Sequence, residues 1–595
     1  MSAASEGTNG KRRIVDDLKI RNKDNMKGIA GEYFGSKYSY QQTFKMIEDY
    51  KRAFIELDGL NQNAITISAT STIASVNAFY GAIDANKIVN MTSPGFLHIY
   101  TEKYTRDLNC QTVFIFEDFL NANLLNKLQK AGVKNVIVTR ATDYMNPFVK
   151  YLAIRKGIVE KEDFLDKYVK EHGVFPKGIQ VIRLQEFAKA GAKIQTTYNF
   201  DYDEKRIAAY FLTGATTSQF PKCVKIYESG IVRMGQIYDE SWFDFKRGDR
   251  NAVFIPIFYA TGAVHSVHAG LLAGATNIYK PKYDRFAFGK DLKETKANIA
   301  IVAPSHVATL DEAGLKDNEL HHVKYIFIGG EAIMPAQMEK FRKTAKRLGI
   351  EYILNGYGMT ETGSMSGISE REAKGGDVTV VPVPGVEYRI VNSVTGEILS
   401  DNVRGILQKK SPCASAGYFE EEKNKKLFTE DGWVQTGDIA IRYSDGKYRV
   451  LGRETDYFKN QDITYAMYDI EECVVKHEAV SEAEVIKFEI EGEEYPAIVV
   501  VIKNEWKDKL EKVLRDLCAI EILGIEYLVG VKFVDRFKTN PVTSKRDYLS
   551  LQDLKTGYFG VAADGVLYSN EVGGEKRIIT SDELIIASID EKTER

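Results

Sequence analysis

Three stretches of the 595-residue chain carry side chains suited to handling a phosphate ester. The first is Thr213-Gly214-Ala215-Thr216-Thr217-Ser218-Gln219-Phe220-Pro221-Lys222, with four hydroxyls in its first six residues, directly after an apolar run. Small residues let backbone N–H groups approach a polyanion, the hydroxyls are rotatable donors, and Lys222 adds charge. A Ser/Thr turn uses the same residue types, and the spacing is not that of a loop ending Gly-Lys-Ser/Thr. The second is Asn355-Gly356-Tyr357-Gly358-Met359-Thr360-Glu361-Thr362. Two glycines bracket an aromatic ring, which can lie flat against a planar base, while Thr360 and Glu361 offer a hydroxyl and a carboxylate to phosphate and Mg²⁺. In the third, Gly432-Trp433-Val434-Gln435-Thr436-Gly437-Asp438, a carboxylate stands where it can accept from two ribose hydroxyls or close an Asx turn.

These residues need strand ends to hold them. Residues 63–67, 88–91, 112–116 and 135–138 read as apolar strands, with a helix over 71–85, an order that implies a parallel sheet. Before them a helix opens at 38–42, with Ser39 as its cap and Phe44, Ile47, Tyr50, Phe54 and Leu57 on one face. Residues 145–191 are charged and mainly helical, an insertion or a cap. Further strands are expected at 254–258, 298–305, 323–331 and 352–354, ending in small or polar residues where ligands of open α/β sheets gather. From about 378 short alternating runs suggest a small barrel-like subdomain. Helices at 469–477 and 508–522 with strands at 483–488 and 495–502 then make a compact α+β domain of about a hundred residues.

Length excludes a single core, and a formal net charge of -3 gives no nucleic-acid footprint. Five scattered cysteines read as reduced core thiols. No run approaches the roughly 18 apolar residues of a membrane span, and no apolar signal core opens the chain, so a soluble cytoplasmic protein is expected. His265 and His268 stand three apart in an apolar helix without a third metal ligand in reach. No Asp or Glu occurs between Phe254 and Gly270.

In their order these motifs resemble those of the acyl-adenylate-forming (AMP-binding) superfamily: acyl-CoA synthetases, peptide-synthetase adenylation domains and luciferases. The ending Phe220-Pro221-Lys222-Cys223-Val224 is similar to the Phe-Pro-Lys-Met-Val common among AMP-forming acyl-CoA synthetases. Gly452-Arg453-Glu454-Thr455-Asp456-Tyr457-Phe458-Lys459 resembles the family's hinge, and Asn540-Pro541-Val542-Thr543-Ser544-Lys545 its terminal Gly-Lys motif. The resemblance covers roughly residues 30–555. It implies that Tyr357 stacks on adenine, with Asn355, Gly356, Gly358 and the Gly329-Gly330-Glu331 backbone around the base. Thr213, Gly214, Thr216, Thr217, Ser218 and Lys222 would hold phosphate, Asp438 the ribose, and Arg453 the nucleotide at the hinge. Thr360 would touch the α-phosphate, Glu361 would hold Mg²⁺, and Lys545 would be the catalytic lysine. Tyr259 and Gly262 would line the acyl pocket, Tyr259 standing where acyl-CoA synthetases commonly have His. Ala215, Ser218, Asp462 and Ser544 replace family glycines, and Thr455 the usual Asp or Lys pivot. Thr455 and Asp462 would border the hinge and the thiol path.

The fold so implied is α/β. Residues 1–30 are a loose arm, and 31–452 a large N-terminal domain of stacked α/β sheets, with a small β-barrel subdomain at about 378–452. Residues 453–555 are a small mobile α+β domain and 556–595 an extension. The function implied is ATP-dependent activation of a carboxylic acid to an acyl-adenylate with release of pyrophosphate, then transfer to a thiol. The acceptor is most simply coenzyme A. The alternatives are a stand-alone enzyme loading the phosphopantetheine of an acyl carrier protein, or a nucleotide-binding homologue without catalysis. The missing carboxylate in 254–270 points to an acid lacking a free ammonium.

Overall fold

In a computed structural model of the chain, residues 11–213, 220–241, 245–281, 284–460, 463–490, 493–520, 529–537, 557–561, 566–570 and 577–587 are described. The early strands lie at Ala64–Ser68, Ile88–Met91, Thr112–Phe116 and Asn135–Thr139. Ala64–Ser68, Thr112–Phe116 and Asn135–Thr139 are buried at every residue, as parallel strands covered on both faces must be. They belong to a seven-stranded sheet ordered Gln180–Arg183, Asn135–Thr139, Thr112–Phe116, Ala64–Ser68, Ile88–Met91, Ile207–Leu212, Cys223–Tyr227. All neighbours are parallel except the last pair, an antiparallel hairpin.

A second sheet of nine strands has a parallel centre running Tyr352–Met359, Tyr325–Ile328, Ile299–Val302, Arg250–Val253, Thr276–Tyr279, Ile29–Tyr33. Between the sheets lies the helix Ile73–Asp84, capped by Thr72 and buried at all twelve residues. The helix Tyr40–Asp58 begins at a capping box of Ser39 and Gln42. Its Tyr50 and Phe54 rings pack on Phe187 of the helix Leu184–Lys193.

Five expectations change. Residues 1–30 are not all a loose arm: the helix Ile14–Arg21 buries Ile14, Val15 and Leu18 completely, and Ile29–Tyr33 is a sheet strand. The 145–191 stretch does not cap the domain, because Gln180–Arg183 pairs with Asn135–Thr139 and lengthens the first sheet at its edge. That strand is short and only one of its residues is buried, so no apolar run announces it. The strand expected at 254–258 ends at Val253, and Tyr259 N–H bonds the Pro256 carbonyl in a turn, since proline cannot donate to a central ladder. The β-rich subdomain is an open four-stranded antiparallel sheet, Glu387–Val391, Arg404–Lys410, Val434–Arg442 and Tyr448–Arg453, whose edge strands do not pair. Of the expected core thiols, Cys110, Cys223 and Cys413 are buried, whereas Cys473 and Cys518 are half-buried.

The C-terminal domain is built on a six-stranded sheet from Val480–Ile490 to Arg577–Ile578, covered by the helices Met467–Val475 and Leu510–Cys518. Its last three strands, Tyr558–Val561, Leu567–Asn570 and Arg577–Ile578, come from the extension. Salt bridges of Arg404 with Asp469 and Arg449 with Glu472 join it to the four-stranded sheet. Lys340 of the large domain donates to the carbonyls of Val475 and Val480. Among the described residues no helix is long and apolar enough to cross a membrane.

The N-terminal helix is held by a buried charge cluster. Glu228 pairs with Arg13 at 3.1 Å and Arg206 at 2.7 Å, and accepts from Ile14 N–H, while both guanidiniums also donate to the Ile83 carbonyl. Removing the carboxylate would leave two buried guanidiniums without their counter-charge. Glu228→Ala is therefore expected to destabilise the large domain by about 3–5 kcal/mol. Urea unfolding followed by tryptophan fluorescence would measure this, and a loss below about 1 kcal/mol, the range of exposed pairs, would contradict it.

Candidate functional site

The strand Tyr352–Met359 runs past its neighbour Tyr325–Ile328, whose carboxyl end leads into exposed Gly330 and half-buried Glu331. It then turns through Thr360–Thr362 into the antiparallel strand Ser364–Ile368. Gly358 makes this hairpin possible: a Cβ there would lie 1.7 Å from the Ser364 carbonyl oxygen. Asn355 commits its side-chain N–H to the Val378 carbonyl at 2.6 Å, fixing the strand beside the ring of Tyr357.

Tyr357 is the meeting point. Its hydroxyl donates to Asp438 Oδ2, and Asp438 Oδ1 takes an ion pair from Arg453 Nε at 3.1 Å. Asp438 and Arg453 face each other in register on antiparallel strands, so the pairing follows from the ladder. Asp438 raises the pKa of Arg453, and burial and the same carboxylate raise that of Tyr357, so the guanidinium stays charged and the phenol protonated. One guanidinium Nε–H and a phenol leave part of the carboxylate's accepting capacity open.

A second group lies around Glu361, which is buried and accepts from Tyr418 OH at 2.8 Å. The Lys222 ammonium sits over the Tyr418 ring, 5.1 Å from its centroid. Lys222 is positioned by the hairpin: its N–H donates to Thr213 Oγ1 at 3.1 Å, and Thr213 N–H returns a bond to the Lys222 carbonyl at 3.0 Å. The two ends of the first motif are thus clamped beside Glu361, and half-buried Thr360 adjoins it in sequence. Gly214, Ala215, Thr216, Thr217 and Ser218, with Asp462, Ser544 and Lys545, lie outside the described residues.

The third wall follows Tyr259, whose ring packs edge-on against Phe258. Gly262 opens a π-helical stretch, Thr261–His268, and a Cβ there would meet the Pro256 carbonyl oxygen at 2.0 Å. Ala260 and Val264 line a narrow apolar crevice with Ile226, Ile231 and Gly363. His265 pairs with the Tyr238 hydroxyl and His268 with that of Tyr80. Among the described residues no group of three or more ligating side chains is found. Thr455 is exposed in the turn after Arg453, where Asp456 Oδ2 accepts from Arg453 N–H at 2.9 Å.

Two residues of the site escape the sequence reading. Tyr418 carries no spacing signal, since it reaches Glu361 only through the tertiary fold. Lys409 is fully buried behind Tyr357. A signal for it existed: alternation on the strand Arg404–Lys410 places it on the face of Leu407.

A family model described as AMP-binding enzyme matches residues 19–419, and one described as AMP-binding enzyme C-terminal domain matches 469–542. Among curated relatives, a long-chain-fatty-acid–CoA ligase of Bacillus subtilis (strain 168) is 23% identical over 465 residues, 77% of this chain and 80% of its own. Luciferin 4-monooxygenase of Photinus pyralis is 26% identical over 359 residues, 59% of this chain and 64% of its own. Among solved structures, the anthranilate CoA ligase AuaEII in complex with anthranoyl-AMP superposes with a TM-score of 0.76 at 17% identity, covering 93% of this chain and 98% of that one. The O-succinylbenzoate coenzyme A synthetase MenE of Bacillus subtilis, in complex with AMP, gives a TM-score of 0.66 at 16% identity, with 91% and 98% covered.

The histidines of the third wall set a pH limit. Burial pushes His265 down to about 4 and His268 down to about 3. Each lies below the unfolded value of about 6.5, so its contribution is fully present above that pH and is lost as pH falls toward the folded value. Each histidine should cost about 1.4 kcal/mol of stability per pH unit in that window. The unfolding free energy is expected to drop between pH 6.5 and 4.5, and less steeply in a His265→Gln, His268→Gln variant. Equal slopes for the two proteins would overturn the assignment.

Proposed function

Because the chain belongs to the AMP-binding enzyme family, we propose that it joins a carboxylic acid to a thiol through an acyl-adenylate. The observation that carries this reading is that the three sheets bring together Tyr357, Asp438 and Arg453 on one side, and Glu361, Tyr418 and Lys222 on the other. A half-buried ring between glycines suits adenine, and the Asp438 carboxylate suits the ribose hydroxyls. The Gly330–Glu331 backbone is assigned to the edge of the base. Thr213, Lys222, Thr360 and the hydroxyls of Thr216, Thr217 and Ser218 are assigned to phosphate. Glu361 offers the hard oxygen that Mg²⁺ takes. That ion, when bound, would neutralise phosphate charge.

In the first step a carboxylate oxygen of the acid bonds to the α-phosphorus of ATP, the bond to the β-phosphate oxygen breaks, and pyrophosphate leaves. In the second, a thiolate sulfur bonds to the acyl carbon and AMP leaves. The chain holds reactants and stabilises developing charge, without a covalent nucleophile of its own. Long-chain-fatty-acid–CoA ligases are matched over 77% and 74% of the chain, which favours coenzyme A as acceptor. Thr455 and Asp462 are assigned to the hinge and the thiol path.

The substrate is an acid without a free ammonium. Between Phe254 and Gly270 there is no carboxylate to pair with one, and the two histidines there are held neutral by burial. An aliphatic or aryl chain would gain about 25 cal/mol per Å² buried. Pyrophosphate release across a panel of acids is expected to be driven by fatty or aryl acids. Higher rates with free amino acids would refute this.

Lys545 is assigned to bridge the substrate carboxylate and the α-phosphate. Lys545→Ala should lower acid-dependent ATP/pyrophosphate exchange by about 10²- to 10³-fold, the cost of removing one such donor. ATP binding should persist, since the remaining contacts are elsewhere. Exchange at the parent rate would remove Lys545 from the mechanism.

A further inference from the structure

Lys409 has no access to solvent. Its ammonium lies 3.7 Å from the centroid of the Tyr357 ring and 5.6 Å from that of Tyr388. It donates to Ser366 Oγ at 2.9 Å. Ser366 Oγ also accepts from Tyr388 OH at 2.8 Å and donates to the Tyr357 carbonyl at 3.3 Å. Among the described residues Lys409 makes no ion pair within 4.0 Å. The charged groups facing it are Asp438, Glu361 and Arg453, the last already paired with Asp438.

Burying an amine with a hydroxyl as its one hydrogen-bond partner costs more than burying a thioether of similar length. Stability of the sheet therefore does not account for a lysine here. Its placement does account for the posture of Tyr357. The ring is tethered at its hydroxyl by Asp438 and backed on one face by the ammonium, and it remains half-buried. We propose that Lys409 is a positioning residue for the nucleotide base, holding Tyr357 from behind in the plane on which adenine stacks. This rests on the reading of the site as one for an adenine nucleotide, and adds to it a device that none of the five motifs contains.

The device has a pH dependence. Burial pushes the pKa of Lys409 down to about 7, with Asp438 and Glu361 favouring the ammonium and Arg453 opposing it. The ammonium backs the ring below that value and is lost as pH rises through it, so base stacking weakens on the alkaline side.

The test measures binding of adenosine, ATP and tripolyphosphate to the full chain between pH 6 and 8.5. Adenosine carries no charge change in that range, so its profile reports the protein alone. Wild-type affinity for adenosine should fall as pH rises. Lys409→Met should bind adenosine and ATP about tenfold more weakly at pH 6, the scale of a desolvated cation–π contact. Its adenosine profile should be flat, and tripolyphosphate binding should be unchanged. Lys409→Arg, which stays charged throughout, should bind adenosine without the pH dependence. A flat wild-type adenosine profile overturns the proposal even if neither variant folds. Unaltered adenosine affinity in Lys409→Met, or an equal loss of tripolyphosphate binding, overturns it as well. Failure of wild type to bind either adenosine or ATP would remove the nucleotide reading itself, and the proposal with it.

Discussion

The carboxylate of Asp438 joins parts of the molecule that are far apart in sequence. It accepts from Tyr357 at the end of the nine-stranded sheet, and pairs with Arg453 at the last strand before the small domain. Its own strand belongs to the four-stranded sheet. A charge-assisted hydrogen bond and an ion pair on one buried carboxylate are strong and directional. Neither partner can move without stranding the other two, so the ring of Tyr357 acquires a defined plane although its strand is flanked by glycines.

Charge elsewhere in the large domain is handled differently. Burial keeps the wall carrying His265 and His268 neutral, with a buried tyrosine hydroxyl on Nδ1 of each imidazole. The interior near the N-terminal helix is charged, but Glu228 is matched by two arginines whose remaining donors reach backbone carbonyls. Both solutions obey one constraint, that a buried polar group must be paired or uncharged.

The small domain is seated by polar contacts as much as by packing. Arg404 and Arg449 reach across to Asp469 and Glu472, and Met334, Leu451 and Tyr468 form a small apolar cluster at the seam. Lys340 caps the carboxyl end of the helix Met467–Val475 by donating to the Val475 carbonyl, and burial pushes its pKa down to about 8. Exposed ion pairs contribute little individually.

What the sequence determined by itself was whatever depends on local order. The strand, helix, strand cadence from 63 to 138, the Ser39 cap, and the succession of motifs ending near Asp438 and Arg453 are all properties of neighbouring residues, and they placed the chain in its family. Local order misled where tertiary pairing wins. Gln180–Arg183 is a strand because Asn135–Thr139 offers it an edge, and Ile14–Arg21 is buried because Glu228, over two hundred residues later, completes its charge pattern. The same holds in the site. Tyr357 and Asp438 were each legible, but their bond was not; Tyr418 was not legible, and strand alternation marked Lys409 only as an inward position, not as a neighbour of Tyr357. A hydrogen bond or a cation over a ring is decided by distances of a few ångströms between elements, and only the packing of the sheets sets those distances.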